Sequence, residues 1–401
     1  MDGGIFEGLK VLDCASFIAA PAAATVLADF GAEVIKIEPP GSGDPYRHLP
    51  KLPGYPISPH NFAWLLESRN KRSLALDLAQ AQARAVLYRL ASEADVFITN
   101  YPPAVRNRLG IACDDIKPLN ARLIYASFTG YGEKGEEADK PGFDSNAYWA
   151  RSGLMDLVRA DENTTPARSV PGMGDHPCAM AFYGAIVTAL YKRERTGKGS
   201  HVSSNLMANG VWAAGVLAQA KLCGAKFQAR RPRERALNAV TNHYRCKDGR
   251  WLILSLLNEE RQWPVLARCL GREDLVADPR FATKPDRHAR SLELIALFDE
   301  IFAGKDLAEW RKILDGNGLV FGVVGILDDI PTDRQMIEND VLVPFENDTM
   351  LTINSPIWVD GSDKVKPRRP PEIGEHSEEI LREAGYDEAA IRELKASGAV
   401  S

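Results

Sequence analysis

Short apolar runs alternate with helix-like stretches through the N-terminal half of the chain, and this alternation restricts the possible folds most. Five runs are strand-like: KVLDC at 10–14, EVIKIE at 33–38, SLALDL at 73–78, DVFITN at 95–100 and RLIYASFTG at 122–130. Between the first two, PAAATVLADF is rich in alanine and predicts a helix, which Gly31 ends. Strand–helix–strand repeats form parallel sheets with right-handed crossovers, so we predict a Rossmann-like, doubly wound α/β domain.

The character of the sequence changes after about residue 225. Asp248-Gly249 separates two strand-like runs and predicts a hairpin, and polar helical segments follow it. We therefore predict a large domain that begins with residues 1–200, a linker helix over 201–225 and a smaller α+β domain over 226–325. Residues 326–401 are predicted to hold short strands, a proline-rich linker and a pair of tail helices.

The charge balance and the cysteine pattern exclude several kinds of partner. Lys and Arg number 49 against 54 Asp and Glu, a net charge of −5, which disfavours a nucleic-acid binder. The six cysteines are scattered, without a Cys-x-x-Cys pair or clustered histidines, so we expect reduced thiols and no metal site. No apolar run approaches the ~20 residues of a membrane span, and MDGGIFEGLK does not resemble a signal peptide. We expect a cytoplasmic protein with no membrane partner.

The turn after the first strand lacks the glycines of a dinucleotide-binding site. It reads SFIAAP, whereas a pyrophosphate approaches the backbone closely only where glycines leave space. A nicotinamide or flavin dehydrogenase is therefore disfavoured. The sequence also lacks a phosphate-binding G-x-x-x-x-G-K-[ST] loop and a G-x-S-x-G nucleophile elbow. GSGD at 41–44 follows the second strand and is interpreted as a plain surface turn.

PGMGDHPCAM, at 171–180, places Asp175 between a glycine-rich turn and a predicted helix. The simplest interpretation is that Asp175 or His176 caps that helix, which is a common role of Asp. A second role is compatible with this position, because a carboxylate at a helix N-terminus stays ionised and nearby N–H groups can stabilise an acyl oxyanion. Gly172 and Gly174 would leave room for an acyl group. An ionised carboxylate held in this way can attack a thioester and form a mixed anhydride.

Ordered segments along almost the entire chain match a known family. They include GLKVLDCASFIAAP, ADFGAEVIKIEPPGSGDPYR, NKRSLALDL, ADVFITNYPPAVRNRLG, RLIYASFTGYGEKG, DKPGFD, GMGDHP, RTGKGSHVSSNL and GEHSEEILREAGY. On these segments the chain resembles the class III coenzyme A (CoA) transferases, a family that also contains the α-methylacyl-CoA racemases.

The resemblance implies a fold and a reaction. Both chain ends would form the large domain, with residues 326–401 returning to it, and two subunits would interlock as a homodimer. Asp175 falls on the family's nucleophilic aspartate. The enzyme would move CoA from an acyl-CoA donor to a free carboxylic acid through an aspartyl-CoA thioester. Acyl-CoA would bind as a substrate, and no permanently bound cofactor is expected.

The resemblance also implies a set of CoA contacts. Ile18 and Ala19 match the turn by the thioester, and Pro39 stands where some members have an arginine near the adenine. The other matching positions are Leu76, Asp77, Leu78, Ala79, Asn100, Tyr101, Pro102 and Arg108, and Lys140 lies near a family lysine that approaches the nucleotide. Two of them have simpler alternatives, because Arg108 could cap a short helix and Lys140 could be a solvated loop charge.

One departure from the family pattern bears on the type of reaction. Racemases of the family carry a histidine in a G-H-D motif, where this chain has GFD with Phe143. A racemase needs an acid and a base on opposite faces of the substrate carbon, so this change favours CoA transfer. His176 and His201 are the nearest alternatives for such a base. A CoA-binding protein without catalysis is a third possibility, disfavoured because Asp175 and its glycines are intact.

The predicted acyl end differs from that of family members that act on formyl or oxalyl groups. Ile18 replaces a glutamine, and LSLLNEERQW at 254–263 stands where a glycine-rich lid would be. The segments SFIAAP, AYWARSG and GMGDH most resemble the branch that handles 2-hydroxy acids such as 2-hydroxyisocaproate and phenyllactate. The resemblance therefore points to a 2-hydroxy acid, or a similar medium-sized acid, as the acceptor.

Overall fold

A six-stranded parallel sheet forms the centre of the fold. The computed structural model describes residues 4–401. The strands of the sheet are β1 (Lys10–Asp13), β2 (Glu33–Glu38), β3 (Lys71–Ala75), β4 (Val96–Thr99), β5 (Ile124–Thr129) and β6 (His201–Asn205). Their order is β3-β2-β1-β4-β5-β6, and every neighbouring pair is parallel. The predicted doubly wound sheet is confirmed, and its strand order reverses between β1 and β4.

Helices cover both faces of this sheet. Up to residue 222 they are α1 (Ala19–Asp29), α2 (Phe62–Glu67), α3 (Ala81–Ala91), α4 (Pro103–Leu109), α5 (Cys113–Ile116), α6 (Leu154–Leu157), α7 (Asp175–Thr196), α8 (Leu206–Ala213) and α9 (Gly215–Leu222). One face packs against α1 and α7, and the other against α3. Every residue of β5 is buried, as expected for a parallel strand covered on both sides. Among the helices of residues 4–401, none is long and apolar enough to cross a membrane.

The predicted linker helix over 201–225 is wrong in its first part. His201–Asn205 forms the edge strand β6, which pairs with β5 and brings His201 opposite Tyr125. The rest of the segment forms two short helices that meet at Ala214. The backbone of HVSSN finds its hydrogen-bond partners on β5, a distant part of the chain, and local helical spacing does not contain that information. Asn205 then caps α8, since its Oδ1 accepts from the Ala208 N–H at 2.7 Å.

The chain divides into two compact units. The first comprises the chain up to Leu157, Ala167–Gly224 and Arg334–Ser401, and the second comprises Val158–Pro166 and Ala225–Asp333. The N-terminal and C-terminal segments therefore belong to the same unit, which contains the parallel sheet. The sequence did not indicate that Val158–Pro166 belongs with the second unit.

The second unit has its own antiparallel sheet and its own core. Its main elements are β7 (His243–Arg245), β8 (Trp251–Leu254), α10 (Glu259–Cys269), α11 (Asp274–Ala277), α12 (Lys284–Ala289), α13 (Ser291–Phe302), α14 (Leu307–Gly316) and β9 (Phe321–Val324). β7 and β8 pair antiparallel on either side of Asp248-Gly249, which confirms the predicted hairpin. Trp263, Phe298 and Trp310 are buried in one cluster with Tyr244 of β7.

The C-terminal segment of the first unit returns to the parallel sheet. Its elements are α15 (Arg334–Glu338), β10 (Leu342–Pro344), β11 (Leu351–Ile353), α16 (Ser377–Glu383) and α17 (Glu388–Ala396). The predicted pair of tail helices is confirmed. Ser377 Oγ accepts a hydrogen bond from the Ala75 N–H at 3.2 Å, and Arg72 pairs with Glu379 at 2.8 Å. These contacts attach α16 to β3.

Candidate active site

A cavity of about 800 Å³ lies at the carboxyl ends of β1, β4 and β5. Ligands of doubly wound folds bind in this crevice, where the strand order reverses. The lining includes Ser16, Phe17, Ile18 and Ala19 after β1, Asn100, Tyr101 and Pro102 after β4, Gly130 after β5, Lys140 and Phe143 in the following loop, Asp144 at the start of a short helix, and Arg168, Gly172 and Asp175 before or at the start of α7.

The cavity brings together about half of the predicted site. Asp175 and six of the predicted CoA contacts line it: Ile18, Ala19, Asn100, Tyr101, Pro102 and Lys140. The remaining predicted contacts do not line it: Pro39, Leu76, Asp77, Leu78, Ala79 and Arg108. Leu76 and Leu78 are buried in the core beneath α3, so their side chains pack within the protein and do not face a ligand. Pro39 and the stretch from Leu76 follow β2 and β3, at the same edge of the sheet, and their contact with CoA stays a prediction.

The turn between β1 and α1 is held by side chains from two other parts of the chain. Phe17 has a φ of 62°, in the left-handed region that a bulky residue rarely adopts. Its N–H donates to Asp44 Oδ1 at 3.2 Å, and Asn100 bonds Ser16 through both its side-chain oxygen and its side-chain nitrogen. Asp44 also forms a buried ion pair with Lys36 at 2.8 Å. The interpretation of GSGD as a plain surface turn is therefore wrong, because Asp44 supports the cavity wall.

Asp175 begins α7 but does not cap it. No side chain caps this helix, so the capping alternative for Asp175 or His176 is wrong. Within residues 4–401, no group forms a hydrogen bond or ion pair with the Asp175 carboxylate, which lines the cavity. The first turn offers fewer free N–H donors than expected, because the His176 N–H donates to Gly172 O at 3.0 Å and Pro177 has none.

The two glycines before Asp175 permit close packing within the protein. Gly172 has a φ of +79°, and a Cβ there would lie 2.8 Å from His176 Cε1. A Cβ at Gly174 would lie 2.7 Å from Tyr148 Cγ and 3.0 Å from Asp144 Cβ. The missing side chains at these glycines therefore make room for the protein's own side chains, and room for an acyl group beside them stays a prediction.

Burial and neighbouring carboxylates act against ionisation of Asp175. Burial raises the pKa of Asp175 to about 7, Asp144 raises it as well, His176 lowers it and Glu67 raises it. The expectation that this carboxylate stays ionised at the helix N-terminus is therefore met only in part at neutral pH. Asp144, which is buried, lies close by because its Oδ2 accepts from the Gly174 N–H at 3.4 Å.

Glu67 and His176 form a pair that the sequence analysis did not identify. His176 Nε2 lies 2.6 Å from Oε1 of Glu67, and His176 Nδ1 lies 3.0 Å from Gly172 O. The Glu67 side chain is 3% exposed, whereas that of His176 is 47% exposed. Burial opposes protonation of His176, but the Glu67 carboxylate raises its pKa to about 9. Glu67 ends α2, and no motif around it marks it as part of a site.

Part of the cavity wall is apolar. The Phe17 and Phe143 rings pack edge to face, with centroids 5.4 Å apart. Tyr46, Leu49 and Leu206 line the same cavity. Among the described residues, no group of three or more His, Cys, Asp or Glu side chains could hold a metal ion.

Comparisons with known proteins agree on one family. Residues 6–377 match the family described as CoA-transferase family III. The chain is 34% identical to the (R)-2-hydroxy-4-methylpentanoate CoA-transferase of Clostridioides difficile, over 99% of both chains. It is 32% identical to the cinnamoyl-CoA:phenyllactate CoA-transferase of Clostridium sporogenes, over 98% of this chain and 96% of that one. A solved structure of a CaiB/BaiF family protein from Brucella suis superposes with a TM-score of 0.85 at 27% identity, over 96% of this chain and 100% of that one.

Proposed function

The chain belongs to CoA-transferase family III, and from that membership we propose that it transfers CoA through a covalent intermediate on Asp175. The enzyme moves CoA from an acyl-CoA thioester to a free carboxylic acid. One observation carries the assignment of the nucleophile: Asp175 is the carboxylate of the G-x-G-D turn, and it faces the cavity without a partner among the described residues. A capped or ion-paired carboxylate would have to break those bonds before reacting.

The proposed reaction balances without a proton or a redox step. An Asp175 oxygen attacks the thioester carbonyl, the C–S bond breaks, and CoA leaves as a thiolate from an aspartyl acyl anhydride. The thiolate attacks the aspartyl carbonyl, which releases the donor acid as a carboxylate and leaves an aspartyl-CoA thioester. The acceptor carboxylate attacks that thioester and forms a second anhydride and CoA thiolate. The thiolate then attacks the acceptor's acyl carbon, giving the new acyl-CoA and free Asp175.

We propose an apolar 2-hydroxy acid, or a similar medium-sized acid, as the acceptor. The relatives act on (R)-2-hydroxy-4-methylpentanoate and phenyllactate, whose side chains are branched or aromatic. The Phe17–Phe143 pair and Leu206 offer apolar surface for such a group in the cavity that contains Asp175. Formate and oxalate have no side chain that could use this surface, and we expect the enzyme to prefer larger acids over both in a panel assayed with several acyl-CoA donors.

Phe143 also supports transfer over racemisation. Its ring lines the cavity where racemases of the family present a histidine, and a phenyl ring cannot exchange a proton. A 2-methylacyl-CoA incubated with the enzyme in heavy water should therefore gain no deuterium at its α-carbon at the rate of turnover. Exchange that keeps pace with turnover would move the enzyme to the racemase class.

Trapping of the intermediate tests the nucleophile directly. The native enzyme is incubated with acyl-CoA and hydroxylamine, which converts an aspartyl thioester or anhydride into a hydroxamate. Peptide mass spectrometry should find the hydroxamate on Asp175. Omission of acyl-CoA provides the control, and a label on any other carboxylate would refute the assignment.

We propose that the chain acts as an intertwined homodimer of two-domain subunits. Large apolar side chains stand exposed on α8 and α9, where Trp212 and Val216 are each 85% exposed and Leu222 is 82% exposed. Surfaces of this kind mark protein interfaces, and the family resemblance supplies a second copy as the partner. Sedimentation at nanomolar concentration should show a dimer, and a folded monomer there would overturn this proposal.

We also propose a cytoplasmic location. The six cysteines of the described chain are all unpaired, and three of them, Cys14, Cys178 and Cys246, are buried. Unpaired thiols suit a reducing compartment. Fractionation of cells that produce the protein should recover it with cytoplasmic markers.

A further inference from the structure

The His176 ring lies between two hydrogen-bond acceptors. Gly172 O, 3.0 Å from Nδ1, can only accept, so Nδ1 carries a proton. A proton must also lie between Nε2 and Glu67 Oε1, which are 2.6 Å apart. Imidazole is the stronger base by about two pKa units in water, which favours the proton on the ring. In that state His176 is an imidazolium that donates from Nε2 to Glu67 and from Nδ1 to Gly172.

We propose that His176 is a protonated positioning residue, fixed by Glu67 and Gly172, which shapes the turn before Asp175 and supplies the positive charge that keeps Asp175 partly ionised at neutral pH. The proposal rests on the role of Asp175 as the nucleophile. It assigns a function to Glu67 as well, since this buried carboxylate stabilises the imidazolium.

The shape of the turn depends on the His176 ring in two ways. The ring sits so close to Gly172 that a Cβ there would lie 2.8 Å from Cε1. Both the ring Nδ1 and the backbone N–H of His176 lie 3.0 Å from Gly172 O. The ring therefore holds the backbone immediately before the nucleophile, and Glu67 anchors it from α2.

The positive charge of His176 matters because the carboxylates of Asp144 and Glu67 both oppose ionisation of Asp175. Asp144 begins the π-helix Asp144–Ala150, and the other groups that interact with Asp175, His176 or Glu67 are Tyr46 in the 3-10 helix Pro45–Lys51, Cys178 in α7 and Lys71 in β3. The ammonium of Lys71 is bonded to Asp13 at 2.9 Å. Lys140 and Arg168 line the same cavity. Among the groups that act on Asp175 most strongly, Asp144 and Glu67 favour its neutral form and His176 favours its anion.

The protonation state of His176 can be measured in the native, full-length enzyme. NMR of ¹³C-labelled histidine should show one ring that stays doubly protonated at pH 7.5 and titrates near 9, where burial and Glu67 together place its pKa. That signal should be missing in His176→Gln. It should titrate at lower pH in Glu67→Gln, which keeps a hydrogen-bond acceptor but removes the negative charge. A neutral His176 ring at pH 7, opposite a protonated Glu67, would overturn the proposal.

The pH profile of kcat/KM separates the electrostatic role from a merely structural one. His176→Gln should shift the half-maximal pH of kcat/KM upward by about one unit, roughly a tenfold loss below the midpoint, in addition to any pH-independent loss from the altered turn. A residue that only maintains the fold would lower kcat/KM equally at all pH values, and that result would refute the electrostatic role. If His176→Gln does not fold, the native and Glu67→Gln titrations still decide the question.

His201→Gln is the matched control. His201 is a second histidine beside a glutamate, with its Nε2 3.5 Å from Glu133 Oε2, but it does not line the cavity. Its substitution should leave the pH profile unchanged. Hydroxamate labelling and the His176 titration test the two proposals separately. A label away from Asp175 would refute the nucleophile assignment but would not change the measured protonation state of His176.

Discussion

The carboxylates around Asp175 and the cations predicted to meet CoA phosphates lie in contrasting environments, one buried and the other exposed to solvent. Asp175 is half-buried, Glu67 and Asp144 are buried, and the last two bond groups far away in the chain. Lys140 is 52% exposed and pairs with Glu137 three residues earlier, and Arg108 is exposed on α4. Buried charges interact strongly, whereas exposed charges are screened by water. Changes around Asp175 should therefore alter the rate of the chemical step, and changes at the cations should alter binding by modest factors.

Removal of the nucleophile gives the largest expected effect. Asp175→Asn keeps the size of the side chain but cannot form an anhydride, so kcat should fall by roughly 10⁴-fold or more. The variant should still fold and bind CoA, which circular dichroism and calorimetric titration can check. Transfer activity within about tenfold of the native enzyme would contradict the covalent route.

The pH dependence of the native enzyme gives the next largest effect. Burial, followed by Asp144, raises the pKa of Asp175 to about 7, and only the anion can attack the thioester. Activity should therefore be lost as pH falls through 7, by about tenfold per unit, so that kcat/KM two units below the midpoint is about one hundredth of its plateau. Initial rates with acyl-CoA well below its KM, measured across this range, test the prediction. A flat kcat/KM from pH 5 to 8 would mean that Asp175 titrates as an exposed carboxylate does.

The same contrast explains what could be predicted from the sequence. The first five strands of the parallel sheet and the G-x-G-D turn are local patterns, and the structure has a strand or a turn at each of them. Glu67 and His176 are 109 residues apart, and Asp144 and Gly174 are 30 apart, so the electrostatics of Asp175 arise only when the fold brings them together. β6 was missed for the same reason, because its partner strand lies far away in the chain.

One methyl group added to the close packing behind Asp175 should lower kcat, but by less than the loss of the nucleophile. Gly174→Ala would place a Cβ 2.7 Å from Tyr148 Cγ, and the shift needed to relieve this clash should displace Asp175. We expect kcat to fall by roughly 10–100-fold, since a displacement near 1 Å can cost about that much.

Gly184→Ala on the same helix is the matched control for this change. Nothing lies within 4 Å of a Cβ at position 184, so the substitution should preserve kcat and stabilise α7 by up to about 1 kcal/mol. Thermal unfolding and kcat, measured on both variants, test the pair. Equal activity in the two would show that packing at Gly174 does not position the nucleophile.

The exposed cations give the smallest expected effects. If Arg108 and Lys140 meet CoA phosphates, Arg108→Ala and Lys140→Ala should each raise the KM for acyl-CoA by roughly 3–10-fold with little change in kcat, because only uniform binding is lost. Lys140 must first leave Glu137, 2.7 Å away, so its effect should be the smaller one. The increase should disappear with a thioester that lacks the nucleotide.

Arg122→Ala is the control. Arg122 is 53% exposed and precedes β5, so it lies at the amino ends of the strands, opposite the cavity. If Arg108→Ala and Lys140→Ala behave like Arg122→Ala, both residues are solvated surface charges, and the nucleotide must be held by other groups, such as the backbone after β2 and β3.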